Sequence, residues 1–184
     1  DPGVEMPELR KYRGAMAIVN MPLEKGIAKV SSMDIYQMNY PKMKSHDVYA
    51  NLEDSLTKMC EFAIKTFKKE GKNYHFAYLH IKETDVPGHD NKPLEKKIFF
   101  EILDKKLFSF LREYCEKNKI KLIVTGDHST PCKYKTHTSD PVPVMLYDSA
   151  EKPDGMVFGE SNSLKGSLGK IYGKNLLKKL EFIS

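Results

Sequence analysis

An α/β fold, with a mostly parallel sheet covered on both faces as a three-layer α/β/α sandwich, is what this sequence predicts. Three observations predict it. Apolar runs of strand length alternate with stretches of helical periodicity. Two polar loops each follow a strand directly, and the ends of parallel strands are where such folds gather working residues. The composition is that of an ordinary globular protein, 40% hydrophobic and 30% charged over 184 residues. That length holds one domain with a real core, or a large piece of a bigger one.

The elements follow in order. Residues 15–19, Ala-Met-Ala-Ile-Val, form an apolar run bounded by Gly14 and Asn20, which predicts a buried strand. A helix is expected over 23–31 and a short strand over 34–38. From Asn51 to Lys69 apolar residues recur at 52, 56, 59, 60, 63, 64 and 67. That is helical spacing, capped by Asn51 or by an earlier polar residue. Residues 74–82 are rich in β-formers and read as a strand. Thr84 to Pro93 is a polar loop with Pro and Gly, and Leu94 to Asn118 is a long amphipathic helix. Lys121 to Thr125 is a strand, Gly126 to Pro141 a second polar loop, and Val142 to Tyr147 a further strand. The remainder is loop and a Gly-rich segment, with a closing helix near 173–180. Met16, Met21, Met33, Met38 and Met43 read as core filler.

Bulk properties exclude several classes. The net charge of +5 comes from scattered lysines, not from the concentrated basic stripe that nucleic acid requires. A modest positive excess suits an anionic small substrate. Cys60, Cys115 and Cys132 are far apart and odd in number, which points to a reducing, intracellular setting and not to a disulfide framework. No run reaches the roughly 18 apolar residues that cross a membrane, and no signal peptide is present, so a cytoplasmic protein is expected.

The chemistry concentrates in the two polar loops. The first reads Thr84-Asp85-Val86-Pro87-Gly88-His89-Asp90. Asp85 and His89 are four apart, so a helical turn here puts both on one side. The second reads Thr125-Gly126-Asp127-His128-Ser129-Thr130-Pro131, followed by Lys133, Lys135 and His137-Thr138-Ser139-Asp140. Imidazole with carboxylate is a mixed nitrogen and oxygen donor set that suits Zn²⁺ or Mn²⁺ and admits other divalent ions. Asp85, His89, Asp127, His128 and His137 exceed what one catalytic ion takes from protein. Two ions use them better, and such a pair clamps the oxygens of a phosphoryl transfer. For either loop taken alone, an Asx-turn or a surface pair is the plainer reading.

Other candidates stay open. His80, near the end of its strand, either reaches the site or is a packed, hydrogen-bonded histidine, and the second reading is preferred. His75 shares that strand, and His46 reads as a loop residue. Asp90 and Asp140 either orient a ligand histidine or serve as turn residues.

The pattern Asp85…His89, Asp127-His128 and His137 resembles the alkaline phosphatase superfamily. The longer strings narrow the match. His80-Ile-Lys-Glu-Thr-Asp-Val-Pro-Gly-His-Asp90 looks like the signature of the archaeal-type cofactor-independent phosphoglycerate mutases. So do Gly126-Asp-His-Ser-Thr-Pro, His137-Thr-Ser-Asp-Pro-Val-Pro, the early Pro22-Leu-Glu-Lys-Gly-Ile-Ala28 and the tail Gly166-Ser-Leu-Gly-Lys-Ile-Tyr-Gly173.

The resemblance implies an alkaline-phosphatase-like fold and two divalent ions, Mn²⁺, Zn²⁺ or Mg²⁺. Asp85, His89 and His137 would hold one ion, and Asp127 with His128 the other. It implies interconversion of 3-phosphoglycerate and 2-phosphoglycerate, in glycolysis and gluconeogenesis, through a phosphoserine. In the family the nucleophilic serine and a further Asp belong to an amino-terminal segment, and a substrate domain is inserted nearby. Neither has an equivalent here, since Ser31-Ser32-Met33-Asp34 lies in another context. Residues 1–184 are therefore expected to be the carboxyl-terminal portion of the metal-binding domain. Its partners would be the missing amino-terminal half and a phosphoglycerate, with neither nucleic acid nor membrane. The chain alone is expected to be inactive. Lys25 is the candidate phosphate contact, against an exposed helix lysine as the plainer reading; Lys133 and Lys135 are weaker candidates. The competing functions are another phosphotransferase or phosphatase of the superfamily, such as a phosphopentomutase, a non-catalytic metal-binding fragment, or an unrelated zinc hydrolase.

Overall fold

The computed structural model describes residues 11–40, 42 and 45–182. They form two compact units. One runs to Pro87 and resumes over Lys92–Ser109, and the other joins Gly88–Asn91 to the residues from Phe110 onward.

The first unit is built on strand β1, Ala15–Ile18. Residues 15–19 are all 1% exposed or less. An unbroken apolar run fits a strand in the middle of a sheet covered on both faces. β1 is central, flanked by β2 (Asp34–Tyr36) and β3 (Phe76–Leu79), and both pairings are parallel. β3 is shorter than the expected 74–82. His75 N still donates to Gly14 O, and His80 N to Ile18 O, so the hydrogen bonding continues past both strand ends. Gly14 is required here. Its φ is +71°, and a Cβ would stand 2.7 Å from the His75 ring.

Helix α1, Pro22–Val30, starts with proline at its first turn, where the missing N–H costs nothing. Helix α2, Val48–Glu70, is capped by Asp47, whose side chain accepts from Tyr49 N and Ala50 N. Asn51 instead bonds the carbonyls of Ser45 and Asp47, one turn inside the helix. The buried face of α2 is Ser55, Leu56, Met59, Cys60, Ala63 and Thr66, at spacings of three and four. Ser55 donates to Glu83 Oε1 at 2.8 Å, which gives that buried carboxylate a partner.

After a helical turn, α3 (Val86–His89), the expected long helix appears as α4 (Pro93–Ile102) and α5 (Ser109–Asn118). Between them residues 103–108 widen into a π-type turn. Phe99, Leu103 and Leu107 are buried at intervals of four. A regular helix would rotate that row away from the core, and the wider turn compensates.

In the second unit β4 (Leu122–Thr125) and β5 (Val144–Tyr147) pair antiparallel, unlike the parallel strands of the first unit. Their connection holds no crossover helix, so the chain reverses and pairs back on itself. Lys121 Nζ stands 3.5 Å from Asp148 Oδ2 at the end of this ribbon. The tail carries a short helix not anticipated from sequence, α6 (Glu160–Ser163), and closes with α7 (Leu176–Lys179) after a 3₁₀ turn at Gly173–Asn175, within the expected span. Asp154 accepts from Met156 N, Ser167 N and Ser167 Oγ. These bonds hold its carboxyl below the usual range.

Met16 and Met38 are buried, and Met33 packs on Ala17, Val19 and Ala28. Met21 is half-buried, and Met43 lies outside the described residues. Among the described residues no helix is long and apolar enough to cross a membrane.

Truncating the fully buried Leu56 to Ala should destabilise the first unit by about 2–5 kcal/mol, read from the denaturant midpoint. Burial pushes the Cys60 and Cys115 thiols up to about 11. Roughly one molecule in a thousand then carries either thiolate at pH 8. Iodoacetamide at that pH should label the half-buried Cys132 well before the other two, and denaturant should abolish the order. Equal labelling of all three in the native protein would contradict the burial argument.

Candidate metal centre

Loop 126–141 follows β4 directly, and one backbone pairing organises it. Ser129 and Thr138 form an isolated antiparallel bridge, with Thr138 N donating to Ser129 O at 3.0 Å. Side chains alternate faces on either side of such a bridge. His128, Thr130 and His137 therefore share the face opposite Ser129 and Thr138. The rings of His128 and His137 stack with centroids 3.6 Å apart. Thr138 Oγ1 donates to Asp140 Oδ2 at 2.7 Å, so Asp140 is engaged in the turn that follows His137.

The other loop supplies His89 as the last residue of α3. His89 Nδ1 lies 3.1 Å from the Lys135 carbonyl oxygen. A carbonyl only accepts, so in the neutral ring the proton sits on Nδ1 and the lone pair on Nε2. That Nε2 faces His137 Nε2 at 3.1 Å. Two lone pairs at this distance repel. Either His137 turns an N–H toward His89, or a cation is shared between them. Lys135 presents its carbonyl from a left-handed conformation, φ 57°, which a non-glycine residue adopts at some cost.

A second convergence lies beside the first. His128 Nε2 is 3.4 Å from Asp127 Oδ2, and His128 Nδ1 is 3.0 Å from Thr130 Oγ1. Asp127 also caps the turn by accepting from His128 N. Two donors each about 2.0–2.2 Å from a tetrahedral ion stand about 3.3–3.6 Å apart. The separations of 3.1 and 3.4 Å lie near that span, and the imidazole and carboxylate donors are those Zn²⁺ and Mn²⁺ accept. The residues present therefore fit divalent ions.

Four of the five sequence-derived ligands, His89, Asp127, His128 and His137, thus come together within the second unit. Asp85 belongs to the first unit, where it stands immediately before α3, its N–H donating to Lys82 O. Lys25 is also in the first unit, half-buried on α1, with Nζ donating to Gln37 Oε1 at 3.2 Å. Next to it Glu24 keeps Oε2 buried with no hydrogen-bond partner among the described residues, and Oε1 stands 4.0 Å from His80 Nε2. His80 is therefore packed against a carboxylate, in line with the preferred reading. Lys133 and Lys135 are exposed, and Lys135 contributes through its carbonyl and not its charge.

Sequence reasoning missed Thr130 and Gly88. Thr130 is 5% exposed. A Cβ on Gly88 would lie 2.5 Å from Thr130 O and 2.9 Å from Thr130 Cγ2, so only glycine lets the α3 turn sit on this threonine. The hydroxyl two residues after a histidine was visible as a local partner, but nothing marked the Gly88 contact across the loops.

A family model described as the Metalloenzyme superfamily matches residues 6–182. The chain belongs to this superfamily. Its relatives include the 2,3-bisphosphoglycerate-independent phosphoglycerate mutases of Pyrococcus abyssi and Pyrobaculum calidifontis. The first is 33% identical over 89% of this chain and 37% of its own length. The second is 33% identical over 96% of this chain and 40% of its own length. A solved structure from Pyrococcus horikoshii is 30% identical, with TM-score 0.71, over 92% of this chain and 49% of that one. The cofactor-independent phosphoglycerate mutase of Thermoplasma acidophilum, 22% identical with TM-score 0.58, shares the fold over 89% of this chain and 34% of its own. The expected alkaline-phosphatase-like α/β class and the resemblance to the archaeal mutases are borne out. The superfamily member spans about two fifths of the length of the curated relatives it matches.

Gly88→Ala should push Thr130 aside and cost about 1–3 kcal/mol of stability. In two-dimensional spectra the ring signals of His89 and His128 should move together. An unshifted spectrum with native stability would show that the contact is not needed.

Proposed function

We propose that this chain is the metal-holding, carboxyl-terminal portion of a cytoplasmic phosphoglycerate mutase that interconverts 3-phosphoglycerate and 2-phosphoglycerate through a phosphoserine. The observation that supports this most is the paired convergence within the second unit, His89 on His137 and His128 on Asp127. The relatives that carry the mutase name add to it.

In this reading Asp85, His89 and His137 hold one ion, and Asp127 with His128 holds the other. Asp85 is grouped with His89 because it immediately precedes the helical turn that ends at His89, four residues on. When bound, the ions neutralise charge on the phosphoryl group and favour the ionised form of the attacking hydroxyl. The chain's own residues do the rest of the positioning. The Lys135 carbonyl keeps the His89 proton on Nδ1 and so turns its Nε2 lone pair inward. The Ser129–Thr138 bridge holds His128 and His137 on one face. Lys25 is the candidate cation for a substrate phosphate, and Gln37 fixes where its ammonium stands. The attacking serine implied by the family resemblance has no counterpart among these 184 residues, so it belongs to the part of the relatives that this chain does not span.

Two measurements test the reading. Titration of the chain with Zn²⁺ or Mn²⁺ should show one site tighter than the other, because the Asp127–His128 pair supplies two protein donors and the other group three. His137→Ala should weaken the tighter site at least about tenfold. Joined to the rest of a mutase polypeptide, the chain should turn over 3-phosphoglycerate in preference to a simple phosphate ester. The mutase reading fails if the simple ester is the better substrate, and fails more deeply if neither ion binds.

A further inference from the structure

We propose that Thr130 is a positioning residue of this centre: its hydroxyl holds His128 Nδ1 and so aims His128 Nε2, beside the Asp127 carboxylate, at the ion. The proposal rests on the metal reading above and adds a residue to it that touches no ligand atom directly.

The geometry is specific. Thr130 Oγ1 is 3.0 Å from His128 Nδ1, and the opposite ring nitrogen, Nε2, is 3.4 Å from Asp127 Oδ2. Imidazole has two nitrogens on opposite sides, and the partner of one decides what the other offers. With the Nδ1 proton donated to Thr130 Oγ1, Nε2 presents a lone pair next to a carboxylate oxygen, a two-donor arm for a cation. Without a cation that arrangement sets a lone pair against an anion. The ring then does better with its proton on Nε2, donated to Asp127, while Nδ1 accepts from the threonine hydroxyl. A hydroxyl serves both states because it donates and accepts. Valine, of the same shape, serves neither.

Thr130 is itself held. It is 5% exposed, and Gly88 lies so close that no side chain fits between them. Gly88 immediately precedes His89. The same threonine therefore touches the turn that carries one ligand while it orients another. His89 has its own orienting acceptor, the Lys135 carbonyl at 3.1 Å. Both histidines thus have Nδ1 engaged by the protein and Nε2 toward a second donor, the arrangement in which an outer hydrogen bond fixes a ligand's tautomer.

The experiment compares wild type, Thr130→Val and Thr130→Ser, all first checked for native thermal unfolding. Zn²⁺ binding is read by calorimetry. The His128 tautomer is read by long-range nitrogen–proton correlation, with and without Zn²⁺. In the wild type the His128 proton should move from Nε2 to Nδ1 when Zn²⁺ binds. Thr130→Val should weaken the Asp127–His128 site about 10–100-fold and leave the other within about threefold, and Thr130→Ser should restore it. A Thr130→Val protein that binds at both sites like wild type, with the same tautomer shift, overturns the positioning role while the metal reading stands. If wild type binds no Zn²⁺ and His128 keeps one tautomer throughout, the metal reading falls and this proposal with it.

Discussion

The pairing of Ser129 with Thr138 is the contact on which the second unit's chemistry depends. It is a single backbone hydrogen bond closing a polar loop. Its consequence is larger than its energy, which is of the order of 1 kcal/mol for any such bond. By setting a two-residue alternation at both ends of the loop, it brings His128, Thr130 and His137 to one side. The loop's remaining hydrogen bonds act on that frame. Asp127 caps the entry, and Thr138 with Asp140 braces the exit. The Lys135 carbonyl reaches outward to His89.

The donor set carries an internal tension that explains its chemistry. Imidazole lone pairs and a carboxylate are brought to within 3.1–3.4 Å of one another in pairs. Such groups repel unless a proton or a cation stands between them. The fold pushes them together with bonds at the far side of each ring, at Nδ1, where a carbonyl accepts from His89 and the Thr130 hydroxyl pairs with His128 in either tautomer. An ion bound there, as proposed, would find the ring orientations already set.

The first unit solves a different problem. Its central strand is buried on both faces, and the two flanking strands leave a parallel sheet of three. Behind it, α2 buries a row at intervals of three and four, and one residue of that row, Ser55, satisfies the buried carboxylate of Glu83. Leaving that carboxylate unpaired would be costly in so apolar a setting. Glu24 stands as a contrast, with one oxygen buried and without a hydrogen-bond partner among the described residues, beside Lys25 and facing His80.

Much of this was legible in the sequence, for local reasons. The Ala15–Val19 run is apolar throughout because both of its faces are covered, and the period of α2 shows in its spacing. The candidate ligands stood out by type: carboxylates beside histidines in two loops that follow strands. What the sequence by itself determined was therefore the class of fold and the residue types that the two loops bring as candidate donors. Only the tertiary structure decided the pairing. That β4 and β5 run antiparallel depends on how the intervening loop reverses, which no residue pattern states. The widened turn at 103–108 follows from a buried row at intervals of four, visible only once burial is known. Thr130 and Gly88 looked like ordinary loop residues until the two loops met, because a close contact between distant segments leaves no periodicity in either.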